Sequence, residues 1–467
     1  MGNGWTVVID IGKTLAKATL WDEAGKCIAN RSRPNRQPTV DGGLTLDVAG
    51  IEPWLEITLK EFGALGPVGA IIPVAHGAGA ALIRNDRLQC APIDYEWRGS
   101  ALDRITYNKQ RDPFSATGSP ALPAGLNLGM QLHWLESLRS SNFHSGAILP
   151  WAQYWSWLLS GVAASEVTSL GCHTDLWRPF ERRPSDLAIK RGWADRLAPV
   201  RSAGEVLGKL TPDWVKRTGL SANVDVFCGL HDSNAALQGA RSHPELQGRD
   251  ATVLSTGTWF VAMRTPATGE SDIPELPETR DCLVNVDASG APVPSARFMG
   301  GRELEILTAA QVPFIDAQLD VMIQRNHALE AVERGEMILP SPIPGVGPYP
   351  NAPQRSTERH SSLDVTAVAE LYAALVADVS LDLIGSRDTL LVDGRFSQSP
   401  VFVQALARLR PDSSVFISQD EYGVAQGALR LAGRFKREPP ALRRVNPLPV
   451  EMSEYRARWR EAADQME

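Results

Sequence analysis

The chain has 467 residues, of which 43% are apolar and 22% charged, with a formal net charge of −7. This length exceeds one ordinary core and predicts two or more domains, and the composition excludes a disordered chain. The acidic balance, with no dominant basic stripe, argues against nucleic acid as the main ligand. Five cysteines are scattered, odd in number and without a CxxC pair. That pattern predicts neither a structural zinc nor a disulfide framework and points to a reducing compartment. Met1 leads straight into a strand-like run, with no basic and no long apolar leader, and no apolar stretch approaches the roughly 20 residues needed to cross a bilayer. The expectation is a cytoplasmic protein without a membrane partner.

In chain order, Trp5 to Ile11, Leu15 to Trp21 and Cys27 to Ala29 read as a β-meander. Val68 to Val74 is a buried strand, followed by the turn His76-Gly77-Ala78-Gly79. Leu126 to Leu138 and the Trp-rich Leu149 to Leu159 read as helices, with Pro150 tolerated near the start of the second. Arg178 to Arg201 is charged and proline-punctuated and reads as surface. Val224 to Cys228 is a strand, Ala235 to Ala240 a helix and Arg241 to Arg249 a linker. Ala251 to Met263 repeats the strand–turn–strand outline of the N-terminus and predicts a duplicated architecture. Residues 338 to 354 hold six prolines and two glycines and read as a long, mobile loop. Val365 to Ile384 is an amphipathic helix, Thr389 to Val392 a strand and Pro400 to Leu409 a helix with proline at its start. The last 30 residues end in a surface helix.

Four segments carry candidate chemistry. In Val7 to Thr14, Asp10 ends a buried strand and is followed at once by a glycine turn. A carboxylate there can hold Mg²⁺ directly or through water, and Gly12, Lys13 and Thr14 can hold phosphate. The alternative is an ordinary hairpin with a polar turn. In Cys228 to Ala236, Asp232 lies between a strand and a helix, either as a helix cap or as a base for a hydroxyl nucleophile, with His231 beside it. Ser255-Thr256-Gly257-Thr258 is rich in donors for phosphate, or is simply a hairpin turn. Leu390 to Pro400 joins a strand, a Gly-bearing loop and a helix start, which suits a nucleotide or a plain connection.

Their order resembles the FGGY carbohydrate kinase family, part of the actin/hexokinase/Hsp70-like clan, over roughly residues 5 to 435. Asp10 to Thr14 looks like its first phosphate motif, Ser255 to Trp259 like its second and Gly229 to Asp232 like the segment with the catalytic aspartate. Leu390 to Pro400 falls where the adenosine motif belongs, and Glu421 to Ala428 resembles the closing helix. Asp94 to Arg98 and Leu149 to Gly161 fall on the sugar-binding domain. His231-Asp232 and Gly257-Thr258-Trp259 look most like the L-fuculose and L-rhamnulose kinase branch. Two departures stand out. Lys13 replaces a small residue, and Asp393-Gly394-Arg395-Phe396 keeps one glycine where two or three are usual.

The resemblance implies an α/β fold of two RNase-H-like domains with an interdomain cleft. Residues 1–241 would bind the sugar and carry the base, and residues 242–467 would bind the nucleotide. Asp232 would accept the sugar hydroxyl proton, and Asp10 would hold Mg²⁺. Gly12, Lys13, Thr14, Thr256, Gly257 and Thr258 would hold the phosphates of ATP. Gly394, Arg395 and Phe396 would meet the adenosine, the last two stacking on or bonding to the base. His76, Gly77, Asp94, Trp97 and His231 would contact the sugar, a deoxyketose such as L-fuculose, with L-rhamnulose or D-xylulose as alternatives. A homodimer is compatible with this reading. The rival classes are a non-catalytic sugar- or nucleotide-binding protein and an actin-clan ATPase. The presence of both Asp10 and Asp232 speaks against the first, and the sugar-domain matches speak against the second.

Overall fold

Valine and isoleucine fill Trp5–Ile11, alanine and leucine recur in Leu15–Trp21, and ten of the fourteen residues of the two strands are buried. Such runs belong at the centre of a sheet covered on both faces. The computed structural model describes residues 4–138, 146–269, 273–308, 318–354, 363–418, 422–435 and 437–467. By contacts the chain forms two units, Met1–Ser242 with Val284–Pro292 and Tyr422–Pro439, and His243–Leu283 with Val293–Glu421 and Pro440–Glu467.

In the first unit, Trp5–Ile11 pairs antiparallel with Leu15–Trp21, which pairs antiparallel with Cys27–Pro34. On its other side it runs parallel to Val68–Ala75. A parallel neighbour needs a crossover, and the helix Val48–Leu65 supplies it. Ile51, Leu55, Leu59 and Phe62 form its buried stripe, and Asp47 caps it by accepting from the Gly50 N–H at 3.1 Å. Val68–Ala75 continues parallel to Asp225–Phe227 and to the short strand Leu230–His231. The register opposes Ile11 to Ala75 and Ala75 to His231. Asp10, His76 and Asp232 therefore gather at the carboxyl ends of adjacent parallel strands, where α/β sheets place their ligands.

The second unit repeats the path. Ala251–Thr256 pairs antiparallel with Phe260–Thr265, which pairs antiparallel with Pro292–Phe298. It runs parallel to Thr389–Gly394, which runs parallel to Ser414–Ile417. The predicted duplication is thus present as topology, with Thr256 opposite Gly394 at the strand ends.

Most predicted elements stand at or near their expected bounds, and Pro400–Leu409 coincides with its expectation. Leu149 and Pro150 instead end a strand, Ala147–Pro150, because Pro150 is extended, and the helix runs Trp151–Ser160. The helix expected at Ala235 begins at Asp232. Residues 178–201 are not purely surface, since Leu187, Ala188 and Trp193 are buried. Arg178 is itself largely buried and pairs with the buried Asp112 and with Asp186. The proline-rich stretch 338–354 is irregular but pinned. Ile338 O accepts from Trp459 Nε1 at 2.6 Å, Pro348 O accepts from Arg280 Nε at 2.7 Å, and Tyr349 is buried. The same contacts hold the last helix, Ser453–Asp464, whose Trp459 is fully buried and whose Arg456 and Arg460 reach the buried Asp378. Glu421, the first residue of the expected closing helix, lies outside the described residues. The helix itself runs Gly423–Leu431, and its Ala425, Ala428 and Leu429 join a core with Val8, Ile72 and Ala235.

The second unit contains a buried ion pair. Arg264 Nε donates to both oxygens of Asp250 at 3.1 and 3.0 Å, and each side chain is 1% exposed. Removing one partner strands a charge in the interior, which costs about 3–5 kcal/mol. Asp250→Ala is expected to lower the urea midpoint accordingly, and an unchanged midpoint would remove this pair from the stability of the unit.

Candidate active site

Asp10 is half-buried at the end of its strand and lies opposite Lys17 in the hairpin register. Burial, and then the charge of Asp232, push its carboxyl up to about 7, with Lys17 opposing. A buried carboxylate raised by burial and a neighbouring negative charge is relieved by a cation. Among the described residues no group of three or more His, Cys, Asp or Glu could by itself hold a metal ion. The donor set therefore fits Mg²⁺ held by one or two carboxylates and completed by phosphate and water, and does not fit an all-protein cage.

Asp232 is the first residue of the helix Asp232–Ala240, and His231 occupies the cap position without a side-chain cap bond. The helix-cap alternative for Asp232 is therefore not what forms. Asp232 Oδ1 accepts from Ser233 N at 2.6 Å and from Ser233 Oγ at 3.2 Å, and lies 3.2 Å from His231 Nε2. No donor among the described residues reaches its other oxygen.

His76 is 9% exposed, and neither of its ring nitrogens has a hydrogen-bond partner among the described residues. Its ring meets Tyr95 edge-on at 5.6 Å and tilts over Trp151 at 6.3 Å. Burial pulls it down to about 4, against the nearby Asp232 charge, so it is neutral at pH 7. A buried imidazole with both nitrogens free is costly unless a ligand completes it. Gly77 follows, and a Cβ there would meet Cys172 Sγ at 2.6 Å and His231 Nε2 at 3.0 Å. Its bare backbone keeps this corner open.

Three expected contacts are redirected. The Lys13 ammonium does not project freely toward a phosphate. It is ion-paired with Asp94, lies 3.6 Å from Glu96 and sits 4.9 Å over the Tyr95 ring. Asp94 is 1% exposed, and its carboxylate also accepts from Gln37 Nε2 at 3.3 Å and from Glu96 N at 2.9 Å. Its carboxylate is thus engaged by Lys13, Gln37 and the Glu96 backbone. Trp97 packs edge-on against Trp134 at 4.7 Å, as part of a core.

In the second unit, Thr256 is buried. Its hydroxyl donates to Asp393 O at 2.6 Å and accepts from Phe396 N at 3.0 Å, so it holds the 393–396 loop. Gly394 has φ +87, and a Cβ there would run into Thr256 backbone, so this one glycine is required. The Phe396 ring is 6% exposed and packs on Phe260 at 5.2 Å, which corrects its expected role on the base. Arg395 stays partly exposed, 3.7 Å from Glu305. Thr14 and Thr258 are exposed and Gly12 and Gly257 half-buried, with the Gly12 and Gly257 amides closing their own turns onto Leu15 O and Trp259 O.

Sequence reasoning missed Tyr95, Gln37 and Asn234. Asn234 stood inside the quoted Cys228 to Ala236 segment without being singled out. Gln37 had no signal.

A model described as the carbohydrate kinase FGGY C-terminal domain matches residues 248–440. A crystal structure of a carbohydrate kinase from Novosphingobium aromaticivorans is 46% identical, covers 100% of this chain and 99% of its own, and superposes with a TM-score of 0.92. A xylulose kinase from Lactobacillus acidophilus shares the fold at 15% identity and TM-score 0.77, covering 99% of this chain and 96% of its own. An L-fuculokinase from Salmonella typhi is 24% identical over 326 residues, so the match spans 64% of this chain and 64% of that protein.

Proposed function

We infer that this chain, which belongs to the FGGY carbohydrate kinase family and is a sugar kinase, phosphorylates a small ketose with Asp232 as the general base. The observation that carries this reading is the unequal treatment of the two Asp232 oxygens beside an unpartnered, neutral His76. Oδ1 is held by its neighbours, and the other oxygen is left to take a proton. His76 can give one hydrogen bond and accept another, which suits two sugar hydroxyls, with the Gly77 backbone alongside.

ATP supplies the phosphoryl group, and Mg²⁺ offsets its charge. Asp10 would hold the metal, and Gly12, Thr14, Gly257, Thr258, Gly394 and Arg395 would hold the nucleotide. Thr256 acts through the loop it fixes. The unit that holds Met1–Ser242 would carry the sugar and the base as well as Asp10, Gly12 and Thr14, and the other unit the remaining nucleotide contacts. Asp232 draws the hydroxyl proton as the oxygen becomes nucleophilic, a contribution of about 10² to 10⁴-fold.

The favoured sugar is a deoxyketose such as L-fuculose, on the likeness to the Salmonella typhi L-fuculokinase. ADP release measured against a panel of ketoses and polyols tests this. L-Fuculose should give the highest kcat/KM. A higher value for L-rhamnulose or D-xylulose reassigns the sugar, and equal release without any sugar rejects the kinase reading.

Lys13 supports the sugar side in this scheme. Lys13→Ala should raise the KM for sugar about 10-fold, a change of 1.4 kcal/mol, and leave the KM for ATP within about two-fold. The reverse pattern would return Lys13 to the phosphates.

A further inference from the structure

His231 is buried, with its backbone N–H donated to Thr168 Oγ1 at 3.1 Å. Its two ring nitrogens face different partners. Nε2 lies 3.2 Å from Asp232 Oδ1, and Nδ1 lies 3.1 Å from Asn234 Nδ2. Asn234 is 2% exposed, and its Oδ1 has no hydrogen-bond partner among the described residues.

A neutral imidazole carries one N–H, and the partner of one nitrogen decides where it sits. Burial pushes the His231 imidazole below its ordinary value, against the opposing pull of Asp232. With the Asn234 amide donating, the Nδ1 lone pair is occupied and the proton belongs on Nε2. There it faces the Asp232 carboxylate, 3.2 Å from Oδ1. Turning the amide over would move the proton to Nδ1. The Nε2 lone pair would then face a carboxylate oxygen 3.2 Å away, two acceptors with no proton between them. The donating orientation is the consistent one.

We propose that Asn234 and His231 are positioning residues for the base: Asn234 fixes the Nε2–H tautomer of His231, and that N–H, with Ser233, clamps one oxygen of Asp232 so that the other is presented to the substrate hydroxyl. The assignment moves His231 from the sugar-contact set to the support of Asp232. Gly77 belongs to the same device, since a side chain there would press on Nε2. The proposal rests on Asp232 being the base.

The test compares Asn234→Ala, His231→Gln, His231→Ala and Asp232→Asn, each checked for folding by circular dichroism and each assayed with the sugar that the panel selects. Asn234→Ala is expected to lower kcat about 10- to 100-fold, the range that misplacing a reacting group by up to 1 Å produces, with the sugar KM within about two-fold. Histidine-selective ¹⁵N NMR should show His231 as the Nε2–H tautomer in the wild type and a loss of that preference in Asn234→Ala. His231→Gln, whose amide can still donate to Asp232, should retain at least about five-fold more kcat than His231→Ala.

Wild-type kcat and an unchanged tautomer in Asn234→Ala overturn the proposal. So does a rise in sugar KM with kcat intact, which would make His231 a sugar contact. If Asn234→Ala does not fold, the His231 pair decides, and equal kcat for Gln and Ala overturns it. Asp232→Asn separates the two levels: near-normal turnover there defeats the base itself, whereas a dead Asp232→Asn beside an active Asn234→Ala defeats only the positioning pair.

Discussion

Asp232→Asn leaves sugar and nucleotide binding in place and lowers kcat by at least about 10²-fold. The substitution keeps the shape of the side chain. The Asn oxygen can take the Oδ1 position, accept from Ser233 N and Oγ as the carboxylate does, and face His231 Nε2. The amide nitrogen then stands where the free oxygen was, and it cannot take a proton. Binding, which depends on shape and hydrogen bonds, survives, and proton removal does not. Sugar affinity measured by calorimetry and kcat measured by ADP release check this together. Near-normal turnover would take Asp232 out of the base role. A matching loss of sugar affinity would make it a binding residue.

Asp10→Ala should weaken the use of Mg·ATP by at least about 10-fold in kcat/KM for the nucleotide, with sugar affinity within about two-fold. A loss confined to sugar affinity would refute the metal assignment. A second measurement is independent of turnover. Because the folded-state carboxyl of Asp10 is raised to about 7, mainly by burial and then by Asp232, the folded protein holds that proton more tightly than the unfolded chain. Stability from this group is present below the unfolded value near 4 and is lost as pH rises toward 7. Asp10→Asn should therefore melt at least about 2 °C above the wild type at pH 8 without Mg²⁺, the shift that about 1 kcal/mol gives in a domain of 150–250 residues. The gap should close by pH 4. A wild type that is the more stable at pH 8 would contradict the raised carboxyl.

Much of the scaffold was legible because it is locally coded. The strands of Trp5–Ile11 and Ala251–Thr256 are written in β-branched and apolar runs, and the helix Pro400–Leu409 in its period and its leading proline. Charge and proline misled where local polarity was outweighed by distant packing. Trp193 and Trp459 anchor segments that read as surface. The mobile reading of 338–354 failed for the same reason, since its carbonyls are held by Arg280 and Trp459.

The sequence by itself determined the order of the chemistry. It put Asp10 at the end of one strand, Asp232 at the start of a helix, a second donor-rich turn after it, and a single glycine at 394. Each is a local statement, fixed by strand ends, helix starts and turn residues. Only the tertiary structure decided which side chains those residues meet. Lys13 meets Asp94 across 81 residues, and Thr256 meets Asp393 and Phe396 across 137 and 140. The parallel register brings Ile11, Ala75 and His231 to one edge. Burial then chooses the partners, because a charge or polar group taken from water is costly without one. That is why Lys13 turned to Asp94 and Phe396 into the core.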